Sequence, residues 1–407
     1  MKILLVNKFH YLKGGSEKYY FELGRMLKSK GHEVAYFSMD DEKNVKTYDK
    51  EYFVSKIDLN NGSKLQALAV IYSKKNEEKM IEALDDFKPD IVHLNNFQRQ
   101  LSSSIIKPIK ERNIPIVFTA HDVQAICPAI TMLDNDLNIC ELCTNGKYLN
   151  CVRKKCIKNS KMKSLLGAVE GYYYRNKKIY KDKIDCIITP SEFYREKFIK
   201  DGINKNKIVT IHNSIDVAKY NVKTFDEGYA LYFGRLSKEK GILNLMKAFS
   251  RQKKGKLYIA GEGPERENIA RFIEENKLQS KIKLLGFLNE EQIKEQISKC
   301  KFVVIPSIWY ENCPYSILET LAVGKPIIGS NMGGVPELVN DGENGYIYKF
   351  DDINELSEKM NILFTNDELV TNFSKKSKQL ATSLYNKEEY YKKLITIYND
   401  IKKKNIL

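Results

Sequence analysis

The chain has 407 residues, 43% hydrophobic and 29% charged, a soluble globular composition long enough for two domains of ordinary size. No run approaches the roughly 18 apolar residues of a membrane-spanning helix. The opening Met1-Lys2-Ile3-Leu4-Leu5-Val6-Asn7-Lys8 is too short for the apolar part of a signal peptide, so the expected address is the cytoplasm. The net charge of +15 is concentrated: between Lys147 and Lys183 twelve Lys or Arg stand against Glu170 and Asp182, a footprint for an anionic partner.

The first 120 or so residues alternate strand and helix, as a parallel sheet requires. Strands are expected at 3–6, 33–37, 90–94 and 115–120, with helices at 16–30, 76–87 and 103–112. This is a doubly wound half, whose ligands gather at strand C-termini. Two candidates stand there. Gly14-Gly15 follows the first strand and offers bare backbone to a close ligand, with Ser16 as helix cap. His121, in Thr119-Ala120-His121-Asp122, puts an imidazole at the rim of the same crevice, where a lone histidine is otherwise a structural residue.

Periodicity fails from 123 to 160, a loop that holds Cys127, Cys140, Cys143, Cys151 and Cys156. The C-x2-C and C-x4-C pairs suggest a structural zinc on Cys140, Cys143, Cys151 and Cys156, with Cys127 as substitute ligand; free thiols are the alternative, since disulfides are disfavoured in a reducing cytosol. Residues 161–183 read as a basic amphipathic helix, with Met162, Leu165, Leu166 and Val169 at helical spacing and Tyr172-Tyr173-Tyr174 beyond. Such a helix suits an anionic membrane surface, against the plainer reading of a solvated lysine-rich face. No recognised nucleic-acid motif accompanies the charge, which ranks nucleic acid last among the partners.

The polar segment 216–228 is the expected linker between a first domain at 1–215 and a second at 229–385. The second domain repeats the alternation. A strand at 229–233 leads to Arg235 and Lys240, a strand at 256–260 to Gly261-Glu262-Gly263-Pro264, and a strand at 326–328 to Gly333-Gly334. A closing helix at 386–407 is expected to pack back on the first domain.

The densest chemistry lies in Ser307 to Glu319, after the apolar strand Phe302 to Ile305. Pro314 suits the first turn of a helix, whose N–H groups and positive dipole end form a phosphate seat. Glu319 lies roughly 7 to 8 Å further along, at ~1.5 Å per residue. Glu311 and Glu319 would then flank a diphosphate, each meeting a sugar. An ordinary strand-to-helix junction with two solvated glutamates is the competing reading.

Taken together, Gly14-Gly15, His121, Arg235 with Lys240, Gly261 to Pro264 and the glutamates Glu311 and Glu319 resemble the family-four (group 1) retaining glycosyltransferases. The resemblance implies the GT-B fold, two α/β Rossmann-like domains facing a central cleft, and no metal in catalysis. It implies a nucleoside-diphosphate sugar donor held mainly by the second domain. Arg235 and Lys240 would neutralise the diphosphate with the amides of Asn312, Cys313, Pro314 and Tyr315 nearby; Glu262 joins the donor site, Glu319 takes the ribose and Glu311 the transferred sugar. Gly14 and Gly15 would admit phosphate, and His121 would contact the sugar near the reacting carbon. The acceptor implied is a saccharide or polyprenyl-linked saccharide of bacterial surface-polysaccharide assembly, at the inner membrane face. The sequence departs from the pattern at Asn312-Cys313-Pro314-Tyr315, where the family has glycines, at Ser214, and at Asn95, where a second histidine is common.

Rival readings are a nucleotide-sugar epimerase of the same fold, a non-catalytic membrane or nucleic-acid binding module, and a dinucleotide oxidoreductase. The last is weakened because Arg266 stands where its fingerprint needs a third glycine.

Overall fold

The computed structural model describes residues 1–57 and 69–404; the end of the expected 386–407 helix, residues 405–407, lies outside the described residues. The chain divides into two compact units, Met1–Ile211 with Tyr391–Leu407, and His212–Tyr390.

The first unit is built on a seven-stranded parallel sheet of β1 (Lys2–Val6), β2 (Glu33–Met39), β3 (Lys50–Val54), β4 (Ile91–Leu94), β5 (Ile116–Thr119), β6 (Cys186–Thr189) and β7 (Ile208–Thr210). Their order is β3-β2-β1-β4-β5-β6-β7. Central strands such as Ile91-Val92-His93-Leu94 are buried at every position, so they read as continuous apolar runs rather than alternating ones. β3 was not foreseen; its Lys-Glu-Tyr-Phe-Val sequence belongs to a half-polar edge strand. The order reverses between β1 and β4. There the Asn96 N–H donates to Asn7 Oδ1 at 3.1 Å and the Lys8 N–H to the Asn96 carbonyl at 2.8 Å, tying the two strand ends together.

The closing helix Lys387–Lys404 packs within this unit from Tyr391 onward. Leu394 and Tyr398 are fully buried, Tyr398 sharing a 2.5 Å hydrogen bond with His93 Nδ1, and Lys402 pairs with Asp90 at 2.6 Å. The cysteine loop holds a short helix, Leu149–Arg153, a turn, Thr144–Gly146, and an isolated antiparallel bridge between Leu133 and Ile139. The basic helix Lys161–Asn176 buries Ser164, Gly167, Ala168, Glu170 and Tyr174 and turns Met162, Leu165 and Val169 outward.

The second unit carries a six-stranded parallel sheet of β8 (Tyr229–Phe233), β9 (Lys256–Ala260), β10 (Ile282–Gly286), β11 (Phe302–Ile305), β12 (Ile327–Ser330) and β13 (Gly345–Tyr348), ordered β10-β9-β8-β11-β12-β13. One face packs on Leu245, Phe249, Leu356 and Met360, the other on Ile317, Leu318, Leu321 and Val335. Here the order reverses between β8 and β11, so the loops carrying Arg235 and Glu311 leave neighbouring strand ends.

Segment 216–228 is not a free linker. It contains the turn Val217–Tyr220, and Ile215 and Tyr220 are sunk in the second unit's core at 3% and 1% exposure. Val217 and Val222 pack on the same core beside Tyr220, apolar contacts that follow no regular period in the sequence. The unit boundary accordingly falls at 211/212.

Candidate active site

Each unit gathers candidate residues at its own sheet's switch point.

In the second unit the centre is Glu311, only 5% exposed. Lys240 Nζ at 2.7 Å, Ser307 Oγ at 2.5 Å and Trp309 Nε1 at 2.8 Å all donate to its Oε1. Burial alone would push this carboxyl up, but Lys240, helped by the Ser307 and Trp309 bonds, outweighs it and holds the group below the ordinary carboxylate range. The carboxylate therefore stays charged although buried. Because those donors converge on Oε1, Oε2 keeps its lone pairs for a ligand hydroxyl. The Lys240 ammonium also lies 5.1 Å from the centre of the Trp309 ring.

Two glycines make this approach sterically feasible. Gly241, at φ +67°, follows Lys240, and a Cβ there would sit 1.9 Å from the Pro306 carbonyl oxygen. Gly333, at φ +64°, would place a Cβ 2.0 Å from the Glu311 carbonyl oxygen, which also accepts the Gly334 N–H at 2.7 Å. Gly333-Gly334 thus clamps Glu311 from behind.

Arg235, on the loop after β8 that also carries Lys240, is exposed and makes no ion pair among the described residues, while Tyr232 donates to its carbonyl at 2.8 Å. Helix Tyr315–Val323 starts one residue later than expected: Pro314 is its cap, at φ −69° and ψ 130°, and its carbonyl accepts the Ile317 N–H at 3.1 Å. Its extended ψ keeps it out of the first turn. No side chain caps this helix start. Glu319, 8% exposed, accepts from the Tyr220 hydroxyl at 3.3 Å, and Tyr220 also reaches Glu290 at 3.2 Å. Asn312 is half-buried, and the Cys313 thiol is buried and pushed up to about 12 by that burial, so at this turn Cys313 has its backbone rather than its sulfur to offer. Glu262 is exposed and paired with Arg266 on the next turn. Sequence reading placed Lys240 and Glu311 as separate contacts; it missed that they are each other's partner, together with Ser307 and Trp309.

In the first unit His121 Nε2 lies 2.9 Å from Asn95 Oδ1. Asn95 Nδ2 donates to the Val6 carbonyl at 3.3 Å, which orients the amide so that its oxygen faces the imidazole. The proton of neutral His121 therefore sits on Nε2. Tyr19 packs edge-on against the ring at 4.7 Å, and its hydroxyl meets Thr119 Oγ1 at 3.1 Å. Thr119 in turn meets His93 Nε2 at 2.7 Å, so a chain of contacts runs from Tyr398 through His93, Thr119 and Tyr19 to His121. Asn95, a departure from the family pattern, thereby acquires a task. Gly14 caps helix Gly15–Ser29 in an extended, exposed conformation any residue adopts. Ser16 does not cap; its hydroxyl donates to Glu17 Oε1 at 2.9 Å instead.

The five loop cysteines lie close enough to influence one another. Cys127 and Cys143 are buried and pushed up, the first to about 11 and the second to about 12. Cys156 receives a hydrogen bond from Cys151 and is pulled below the ordinary thiol range, while Cys151 is pushed up. Among the described residues no group of three or more His, Cys, Asp or Glu is arranged to hold a metal ion; Cys140, Cys143, Cys151 and Cys156 are free thiols, with Cys151 hydrogen-bonded to Cys156. No helix among the described residues is long and apolar enough to cross a membrane.

Two sequence families match the chain. The profile described as Glycosyltransferase Family 4 matches residues 13–219, and that described as Glycosyl transferases group 1 matches 217–380. An uncharacterized glycosyltransferase of Methanocaldococcus jannaschii is 28% identical over 222 residues, 53% of this chain and 60% of that one. An uncharacterized 42.6 kDa protein in the cps region of Klebsiella pneumoniae is 26% identical over 379 residues, 88% of this chain and 91% of that one. Anabaena HepE, crystallised with UDP, superposes with a TM-score of 0.72 at 16% identity, covering 98% of this chain and 100% of that one. The fold is thus GT-B, two parallel-sheet α/β domains.

His93 and His121 make the first unit sensitive to acid. Both are held at about 3, chiefly by burial, with His121 adding at His93 and Lys8 adding at His121. The unfolded chain takes up these protons near pH 6.5 and the folded chain near pH 3, so stability is full above roughly pH 6.5 and falls as pH drops below it. For the fully buried His93 each pH unit in that window costs about 1.4 kcal/mol. Unfolding free energy followed by denaturant from pH 7 to pH 5 should decline, and His93→Gln should flatten the decline; an equal slope in the variant would refute the assignment.

Proposed function

Because the chain belongs to glycosyltransferase family 4, we propose that it moves a sugar from a nucleoside diphosphate to a saccharide or polyprenyl-linked acceptor, with retention at the anomeric carbon, in surface-polysaccharide assembly. The observation that carries this reading is the buried, charged Glu311, tied through Oε1 to Lys240 at 2.7 Å with Oε2 left for a ligand.

In this reading Glu311 Oε2 accepts hydroxyls of the transferred sugar. Lys240 has further N–H donors beyond the one given to Glu311, and with Arg235 and the uncapped helix start at Tyr315 it takes the diphosphate. Cations and a helix terminus supply the charge that a metal would otherwise supply. Glu319 takes the ribose, helped into place by Tyr220. From the first unit His121, fixed neutral, and the Gly14-Gly15 turn are assigned to the donor. The leaving diphosphate, gaining negative charge, takes the acceptor's proton on the face it departs from, which gives retention. Positioning and charge stabilisation then carry most of the rate. The cps-region relative supports the polysaccharide assignment, and the UDP complex of a structural neighbour makes UDP-sugars the first donors to try.

A thermal-shift and turnover panel of UDP-, GDP- and ADP-sugars tests this directly. One donor should raise the melting temperature, since about 100 Kd of ligand adds roughly 2.7 kcal/mol. Glu311→Gln should cut turnover by about 10²-fold or more, and Arg235→Ala should weaken nucleotide binding by about tenfold. Silence across the panel, in melting and in nucleotide release, would end the transferase reading, while turnover without any acceptor would favour the epimerase.

Peripheral association with the cytoplasmic membrane face is part of the proposal. Helix Lys161–Asn176 points Met162 (74% exposed), Leu165 (41%) and Val169 (43%) outward beside its lysines. Flotation with anionic vesicles should be lost or strongly reduced when Arg153, Lys154, Lys155 and Lys158 are replaced by Gln, at roughly 1 kcal/mol per cation near the surface; unchanged flotation would leave a merely solvated face.

A structural zinc on Cys140, Cys143, Cys151 and Cys156 is supported by the C-x2-C and C-x4-C spacing. Metal analysis of protein purified without added zinc decides it: less than about half an equivalent counts against the site, and a full equivalent released by chelator with loss of structure establishes it.

A further inference from the structure

A cavity of about 430 Å³ opens in the first unit, away from His121's contacts with Asn95 and Tyr19. Its walls are the segments that leave the C-terminal ends of the strands: Phe9 to Lys13 after β1, Met39 to Lys43 after β2, Lys56 and Ile57 after β3, Arg99 and Gln100 after β4, closed by helix Lys161–Asn176. Six cations line it, Lys13, Lys43, Lys56, Arg99, Lys158 and Lys163, against two carboxylates, Asp41 and Glu170. Those carboxylates are committed: Asp41 lies 2.8 Å from Lys56 and Glu170 3.7 Å from Arg99. The excess of positive charge lies in a concave wall that also carries Phe9 and Tyr11, where it acts more strongly than on a convex surface.

Arg99 is the ordered member of this set. Its backbone takes the left-handed conformation at φ +66°, with its N–H donating to Glu170 Oε1 at 2.9 Å. Its Nη2 donates to the Pro128 carbonyl at 2.7 Å, and the side chain keeps 22% of its surface open. Glu170, at 5% exposure, is the buried anchor, and it also accepts from Gln124 Nε2 at 3.2 Å. A guanidinium held on one edge by a carboxylate and a carbonyl has N–H donors left in a fixed plane, which suits the paired oxygens of a phosphate or carboxylate. The lysines around it are compact point charges on flexible stems, which neutralise an anion without fixing its orientation. The aromatic wall gives a sugar ring an apolar face to lie on, and Lys13 Nζ already sits 3.8 Å from the centre of the Phe9 ring.

We propose that this cavity receives the anionic group, phosphate or carboxylate, of the sugar acceptor, so that the enzyme selects a negatively charged acceptor over a neutral one. The proposal rests on the transferase reading above and adds to it the chemical class of the second substrate. Arg99 fixes the anion and Lys43 and Lys56 neutralise it.

The test uses the whole protein with UDP at saturation. Octyl-diphosphate-linked N-acetylglucosamine, octyl glucuronide and neutral octyl N-acetylglucosaminide are titrated by calorimetry. At least one charged compound should bind about tenfold or more tightly than the neutral one, as charge-assisted hydrogen bonds would give. Preference for the diphosphate names a phosphate as the anion, and preference for the glucuronide names a carboxylate. Arg99→Gln and, separately, Lys43→Gln should erase most of the preference while leaving UDP affinity unchanged. Lys43 is exposed, so its replacement tests the charge even where loss of Arg99 disturbs the Glu170 anchor. Equal binding of charged and neutral compounds with UDP bound, or a preference that survives Lys43→Gln together with Lys56→Gln, overturns the acceptor proposal alone. Failure of every nucleotide to bind removes the transferase reading, and this assignment with it.

Discussion

The second unit depends on keeping one buried carboxylate charged. A glutamate at 5% exposure is costly unless its charge is met at short range, and Glu311 is met by an ammonium, a hydroxyl and an indole N–H on the same oxygen. Each donor comes with a backbone demand. Lys240 must turn sharply into Gly241 beside Pro306, and the glutamate's own carbonyl must lie against Gly333 and Gly334. Three loops, after β8, β11 and β12, are therefore locked to one another by a charge that contributes little to stability. Its use is directional: with Oε1 consumed, Oε2 becomes a fixed, negatively charged acceptor.

The topology explains why such charges collect where they do. In both sheets the strand order reverses beside the first strand of the unit, at β1 and β4 in one and at β8 and β11 in the other. Neighbouring strand ends there send their loops in opposite directions, leaving a crevice that no helix fills. In the first unit Asn7, Asn95 and Asn96 bridge the gap with hydrogen bonds, and His121 enters from the next strand over. Neutral amides tie a neutral imidazole in one sheet, while an ion pair does the tying in the other.

Most of this fold was legible from the chain, because buried parallel strands leave apolar runs that loops cannot imitate. The edge strand β3 was not, since it opens on the charged pair Lys50-Glu51 and leaves only three apolar residues after it. Segment 216–228 misled for the converse reason: Tyr220, with Val217 and Val222 beside it, seats a stretch whose apolar residues follow no helical or strand period. Candidate site residues such as Glu311, Lys240 and His121 could be picked out by their places after strands, but their partners could not. Lys240 is 71 residues from Glu311 and Asn95 is 26 from His121, distances over which spacing carries no information. The glycine pair at 333–334 was the one available hint of a close approach to Glu311.

Helix Lys161–Asn176 carries the same reasoning to the surface. The inner face of this helix carries the small residues Ser164, Gly167 and Ala168 and, near its end, the buried ring of Tyr174 against Phe97 and Tyr180, so close fit and polar contacts share the packing with one aromatic contact. Glu170 is the polar contact that matters: facing inward, it anchors Arg99 and holds Gln124. The apolar residues that would ordinarily secure such a helix are turned the other way. One element therefore separates two roles by its two faces, an inner face that shapes a cationic cavity and an outer face left apolar. A half-turn rotation of the helix that buried Leu165 and Val169 would turn Glu170 away from Arg99, so the buried Glu170–Arg99 contact opposes it.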